Sequence, residues 1–175
     1  MANTFSLDNI NPLSPNGYKF SINKLPELTY FAQTVNLPGI TLGDPSFMNP
    51  FATVPIPGDM LTYDTLNVQF IVDEKMNNYI ALYNWIVALG FPQGYEQYLA
   101  NLDNDQIANL NSLATSYSDG TLEILDNTNK PVRTINFVDL FPVSLDSLQF
   151  HSNDQDVAYF IGNATFRFSY YKIMD

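Results

Sequence analysis

The chain has no cysteine and only one histidine, His151, in 175 residues. Without thiols there is neither a disulfide framework nor a thiolate metal site. Cations are scarce as well: seven Lys and Arg stand against 18 Asp and Glu, a formal charge of −11. Tight nucleic-acid binding draws on clustered Lys and Arg, so this balance argues against a nucleic-acid-binding protein. Long apolar runs are missing too. The most apolar stretch, Tyr79 to Leu89, is interrupted by Asn84 and falls short of the ~18 residues a membrane span needs, so no membrane partner is expected. The N-terminus (Met1-Ala2-Asn3-Thr4-Phe5-Ser6) has neither a basic nor an apolar targeting region, so folding in the cytosol where the chain is made is expected. The eight glycines are scattered and compose no phosphate-binding loop.

What the chain does have is apolar and aromatic mass. Thirteen Phe, eleven Tyr and one Trp, within 46% hydrophobic residues, supply enough burial to offset the entropy of ordering the chain. The length suits one domain with a substantial core.

Residues 1–17, rich in Asn, Ser and Pro, read as an N-terminal arm, and residues 18–175 as a single domain. Tyr18, Phe20 and Ile22 alternate with Lys19, Ser21 and Asn23, the pattern of a half-buried strand. Pro26 breaks it, and Thr29 to Val35, rich in β-branched and aromatic residues, reads as its partner strand. Asn36 to Met60 holds five prolines and reads as an irregular loop, because proline prevents ordinary ladder pairing. That loop nonetheless carries Phe47, Met48, Phe51, Val54 and Ile56. Either it folds over its own core, or it is an extended arm that packs on a neighbouring subunit.

Leu66 to Val72 alternates as a strand. Asp73 reads as the N-cap of a helix over Glu74–Leu89, with Met76, Tyr79, Ile80, Tyr83, Ile86 and Val87 as its apolar stripe and Trp85 at the edge of that stripe. Gly90 and Pro92 stop it. Residues 93–118 look like a polar insertion, in which the spacing of Ile107, Leu110 and Leu113 allows one short helix. Thr121–Leu125 and Arg133–Val138 make a hairpin about the turn Asp126-Asn127-Thr128-Asn129. Leu145, Leu148 and Phe150 suggest a further strand, and Ala164 to Tyr171 alternates to close the domain. About seven strands around one helix, without regular βα alternation, predict an α+β fold: a mainly antiparallel β-sandwich or barrel with one flanking helix.

The sequence nominates no catalytic residue, cofactor site or metal site. His151 lies in a polar turn, no nucleophile elbow accompanies it, and a solvated histidine is the simpler reading. Asp103-x-Asp105 and Asp154-x-Asp156 open like calcium loops, but the sixth loop position offers Ala108 or Tyr159 instead of Gly, and the twelfth Ala114 or Thr165 instead of Glu. A small hydrolase is therefore disfavoured. A binding module with a Tyr-rich surface and a structural assembly protein remain.

An ordered set of segments carries a resemblance. It runs through Tyr18–Ile22, then Asn36-Leu37-Pro38-Gly39-Ile40, then Ile56-Pro57-Gly58-Asp59 before Leu61-Thr62-Tyr63-Asp64. Leu66 to Glu74, the helix with Asn78-Tyr79 and Trp85-Ile86, Asp139-Leu140-Phe141-Pro142, and Phe166–Tyr171 follow. In this order the chain resembles the tail-tube family of contractile-tailed, T4-like bacteriophages. Its length and the block from Pro-Gly-Asp to Val-Asp-Glu are most similar to the branch that completes the tube and stabilises the sheath, with the major tube and tube-initiator branches as alternatives and a non-catalytic baseplate module behind them.

The resemblance implies a small β-barrel or sandwich with a helix, built into a homo-hexameric ring of the virion tail that is assembled in the host cytoplasm. Its implied partners are tail tube, tail sheath and neck or connector proteins, with genomic DNA passing through unbound. On that reading Phe47, Met48, Phe51 and Ile56 are subunit-interface candidates. Asp126, Asp154 and Asp156 are candidates for an acidic lumen, whose carboxylates would repel phosphates.

Overall fold

The computed structural model describes residues 13–49, 51–90, 116–150 and 159–174, together with Pro92, Gly94 and Glu96. Eleven strands and two helices occupy these residues. Strand β1 (Tyr18–Ile22) pairs antiparallel with β8 (Ser118–Leu125), which pairs with the first part of β9 (Pro131–Leu145). The other side of that first part pairs with β11 (Tyr170–Met174). The second part of β9 pairs with β10 (Ile161–Arg167), β10 with β7 (Leu66–Ile71), and β7 with β2 (Ala32–Val35).

Strand β9 therefore belongs to both layers of an antiparallel sandwich. Asp139 makes this change of layer possible: its φ of 57° forms a bulge, and the register to β8 shifts between Ser118 and Gly120 opposite it. A bulge bends and twists a strand. Pro142 follows inside the strand, where it pairs with Phe166 next to a second register shift. On the opposing strand Phe168 and Ser169 separate β10 from β11, so the alternation read through Tyr171 is two strands rather than one.

The core lies between the layers. Phe20 and Ile22, Leu122, Ile135 and Phe137 come from one layer, and Leu66, Val68, Phe70, Ala164 and Phe166 from the other. These are the inward positions of the alternations that the sequence displays. Helix α2 (Asn77–Gly90) adds Leu82 and Trp85 to the same cluster. The Trp85 ring lies tilted to Phe166 at 6.4 Å between centroids, and the Lys24 Nζ stands 5.3 Å from its centroid.

The helix departs from expectation at its start and in its face. Asp73 is not its cap. A turn from Asp73 to Met76 intervenes, and the Met76 carbonyl accepts the first helical bond from Ile80. The buried side chains are Asn78, Leu82, Trp85 and Ala88, so Trp85 is central, while Ile80 and Tyr83 face solvent. Asn78, a buried polar residue, uses both ends of its amide. Its Nδ2 donates to the Ile71 carbonyl at 2.8 Å, and its Oδ1 accepts from the backbone N–H groups of Tyr79 at 2.8 Å and Asp73 at 3.3 Å. This one amide ties the end of β7 to the start of α2.

A second correction concerns Pro26. It does not merely end a strand: it begins helix α1 (Pro26–Phe31), and only Ala32–Val35 is extended. The missing N–H of proline costs nothing at the first helical position. Strand β2 pairs with β7, not with β1. A third is that β9 ends at Leu145, so Leu148 and Phe150 lie beyond it and form no strand.

Candidate assembly surface

The proline-rich stretch is not irregular. Strand β3 (Ile40–Leu42) pairs with β6 (Leu61–Tyr63), and further out β4 (Ser46–Asn49) pairs with β5 (Ala52–Pro55). Between the two ladders, Gly43 donates to Met60 O at 2.9 Å, Gly58 to Gly43 O at 2.7 Å, and Ile56 to Pro45 O at 2.9 Å. The whole is one hairpin arm, reaching up to ~30 Å from its root if extended. Its prolines do not break the ladders, because Pro45 supplies only its carbonyl and Pro55 ends β5. The crossing of the two chains requires Gly58: a Cβ there would collide with the Gly43 carbonyl oxygen and the Pro45 ring.

The root is firmly held. Tyr63 packs its ring 5.7 Å from Phe168 and 5.5 Å from Tyr171, and both of these rings contact Phe137 of the core. The Tyr171 hydroxyl donates to Pro38 O at 3.3 Å. Asn36 clamps the two sides of the root, donating from Nδ2 to Thr65 O at 3.1 Å and accepting the Asn67 N–H at 2.6 Å.

The tip is bare. Phe51 is 96% exposed, Met48 83%, Phe47 62% and Ile56 45%. All four interface candidates thus lie on one projecting hairpin, and none packs in the core of its own chain. Phe47 and Val54 are directly opposed in the ladder and share a face. Nearer the root, Ile40, Leu42 and Leu61 are exposed as well. Contiguous apolar exposure on this scale marks an interaction surface. The arm's only charges are Asp44, Asp59 and Asp64.

Of the lumen candidates, Asp154 and Asp156 lie outside the described residues, as do His151, Asp103, Asp105 and the short helix suggested around Ile107. Asp126 sits in the β8–β9 turn. Its Oδ1 accepts from the Thr128 N–H and hydroxyl, each at 2.7 Å, and from the Lys130 N–H at 2.9 Å. These bonds, the one from Lys130 foremost, hold its carboxyl below the usual carboxylate range. Asn129 completes the turn in the left-handed region at φ 59°. Among the described residues no group of three or more His, Cys, Asp or Glu side chains could hold a metal ion, and no helix is long and apolar enough to cross a membrane.

A second surface escaped sequence reasoning. Where β7 ends, Phe31, Ile71, Val72, Met76, Phe150 and Phe160 line an open, mainly apolar pocket of about 570 Å³, and Asp73 and Glu74 are part of the same lining. Phe150 and Phe160 pack at 4.7 Å. The contributors come from four separate stretches of chain, so no local pattern announces them.

No protein-family model matches the chain. Among solved structures, it is similar to the tube-terminating cap of the anti-feeding prophage, with 14% identity, a TM-score of 0.64 and 99% of each chain covered. It is also similar to a chain of the 6-fold symmetrised baseplate of that particle, with 11% identity, a TM-score of 0.62, and 95% of this chain and 97% of that chain covered. At these identities the likeness establishes the fold alone: the sandwich is the tail-tube fold of contractile systems, and the protein is of that structural class. The sequence takes the assignment further. The chain is 30% identical over 156 residues to the tail tube terminator protein of Enterobacteria phage T4, covering 86% of this chain and 81% of that protein. It belongs to the tail tube terminator family.

Proposed function

We propose that the protein is a structural component of a contractile phage tail, forming a six-fold ring that completes the tube at its head-proximal end, stabilises the sheath and lets DNA through its channel. The single observation that carries the ring is the pair of open sheet edges. Among the described residues, β1 pairs only with β8 and β11 only with β9, so the layer β1-β8-β9-β11 has a free strand on each side. Joining β11 of one subunit to β1 of the next satisfies both edges, and cyclic closure leaves none exposed in that layer. The arm then reaches a neighbour, with Phe47, Met48, Phe51 and Ile56 as its contacts.

The outward face of this layer suits a channel wall. Across it run Lys19, Glu123, Thr134 and Met174 in one row and Ser21, Thr121, Asn136 and Lys172 in the next. Two lysines in different rows, one of them next to Glu123, among hydroxyls and amides, make no continuous cationic stripe on which phosphates would bind. Any acidic excess at the lumen comes from loops, with Asp126, Asp154 and Asp156 as the proposed contributors. Tube, sheath and neck proteins are the proposed partners, the virion tail the proposed location and the host cytoplasm the site of assembly. The N-terminal arm 1–17 and the polar insertion 93–118 are proposed as appendages of the single domain.

Native mass measurement across a concentration series tests this reading. A species of six chains is expected. A monomer that persists at every concentration would instead favour the baseplate binding module.

A further inference from the structure

Strand β11 has two side chains on the core face of its layer, and its own chain covers only one of them. Tyr171 lies opposite Phe137, and the rings of Tyr63, Phe137 and Phe168 stand 5.5, 5.8 and 6.0 Å from its own. Ile173, two residues on, shares that face. Its row across the layer runs Phe20, Leu122, Ile135, Ile173. The first three are at most 5% exposed, whereas Ile173 is 60% exposed. The exposure comes from its place at the open edge, not from its face. At the other edge of the layer, a groove of about 690 Å³ lies between β1 and β2. Tyr18, Phe20, Ala32 and Val35 give it apolar walls, and Asn16, Thr29, Gln33 and Thr34 add amides and hydroxyls. Among the described residues that line it, Lys19 is the one charged group.

We propose that this groove receives Ile173 of the adjacent subunit in the same ring, a second copy of this chain. This rests on the ring reading above. Strand direction permits the joint. Each pairing from β1 through β8 and β9 to β11 is antiparallel, so β1 and β11 run in opposite directions and meet across the joint as an antiparallel pair. Side chains opposed in a ladder point to the same face, and a slip of one residue turns the whole strand over. For the core faces of two subunits to stay on one side, Ile173 must lie opposite Tyr18, Phe20 or Ile22, not opposite Lys19 or Ser21. Tyr18 and Phe20 are walls of the groove, so the side chain enters between β1 and β2. Lys172 and Met174, in the rows of Asn136 and Thr134, point to the channel face and stay out of it. Ile173 carries no polar group that the groove would leave unpaired. Apolar walls beneath a polar margin are the usual build of a subunit contact.

Two variants one residue apart separate this contact from edge pairing alone. Ile173→Asp and Met174→Asp place the same charge on the same strand, and both side chains are exposed in the single chain, so the urea midpoint of the monomer should stay at the wild-type value for each. In sedimentation over a dilution series, Ile173→Asp should raise the concentration at which rings form by about 30-fold or more, and Met174→Asp by no more than about 3-fold. Gln33→Trp, at an exposed position, fills the groove without touching β11 and should weaken rings as well. Equal effects of the two Asp variants, or rings undiminished by Gln33→Trp, overturn the contact and leave the groove to another occupant, such as the chain's own residues 1–12. The wild type read beside them separates the failures: six-chain rings with equal Asp variants refute only the groove contact, while absence of wild-type rings refutes the ring reading and the contact with it.

Discussion

Replacing Phe51 by Ala separates assembly from folding. The side chain is 96% exposed and belongs to no core cluster, so its removal should change the stability of one chain by no more than ~0.5 kcal/mol. In an assembled ring the same ring system is an aromatic anchor at the end of a rigidly rooted arm, and truncating such an anchor costs about 1–2 kcal/mol or more. The concentration at which rings form should therefore rise about 5- to 30-fold, while the urea midpoint of the monomer stays put. Phe166→Ala is the opposite case. Phe166 is fully buried against Trp85 in the core cluster, and its loss should cost ~3–5 kcal/mol of folding stability. Analytical ultracentrifugation over a dilution series, paired with urea unfolding monitored by tryptophan fluorescence, reads both quantities. If Phe51→Ala lowered monomer stability as much as it weakened assembly, the arm would be part of its own core and the reasoning would fail.

Three further outcomes follow from particular contacts. Asn78→Ala should lower stability by about 2–3 kcal/mol, because the Ile71 carbonyl and the Asp73 and Tyr79 N–H groups lose their partner; an unchanged midpoint in denaturant would contradict this. Gly162→Ala should cost about 1–3 kcal/mol, since the new Cβ would stand 2.7 Å from the Phe70 ring in a packed core, and thermal unfolding checks it. Asp126 is held below the usual carboxylate range, so its ionised form stabilises the folded state above an ordinary pKa of about 4 and that support fades as pH falls through the depressed value. Asp126→Asn should flatten the acid limb of the stability curve, and an acid limb identical to wild type would refute the assignment.

The alternating strands were legible because each has one face in the core: Phe20 and Ile22, Leu66, Val68 and Phe70, and Ala164 and Phe166 all point where the pattern places them. Helix α2 was legible as a helix but not in its facing. Ile80 and Tyr83 give it apolar character on the solvent side, while the buried face contains a polar residue, Asn78, whose partners lie in the backbone of β7 and the turn. The arm was legible by composition and hidden as structure. Its five prolines suggest a broken chain, and only the cross-chain register shows that the ladders tolerate them. The long β9 was hidden by Pro142, which sits beside a register shift. Helix α1 has a signal, proline at its first turn, but directly after a strand a proline serves as a stop as readily as a start. The interface candidates therefore came from composition together with the family resemblance, and the pocket at the far end of β7 came from none of these patterns.

Electron microscopy of the purified protein tests the central claim most directly. End-on averages at concentrations where particles form should show a ring of six subunits around an open centre. Particles of another symmetry, or dispersed monomers at every concentration, would contradict the account.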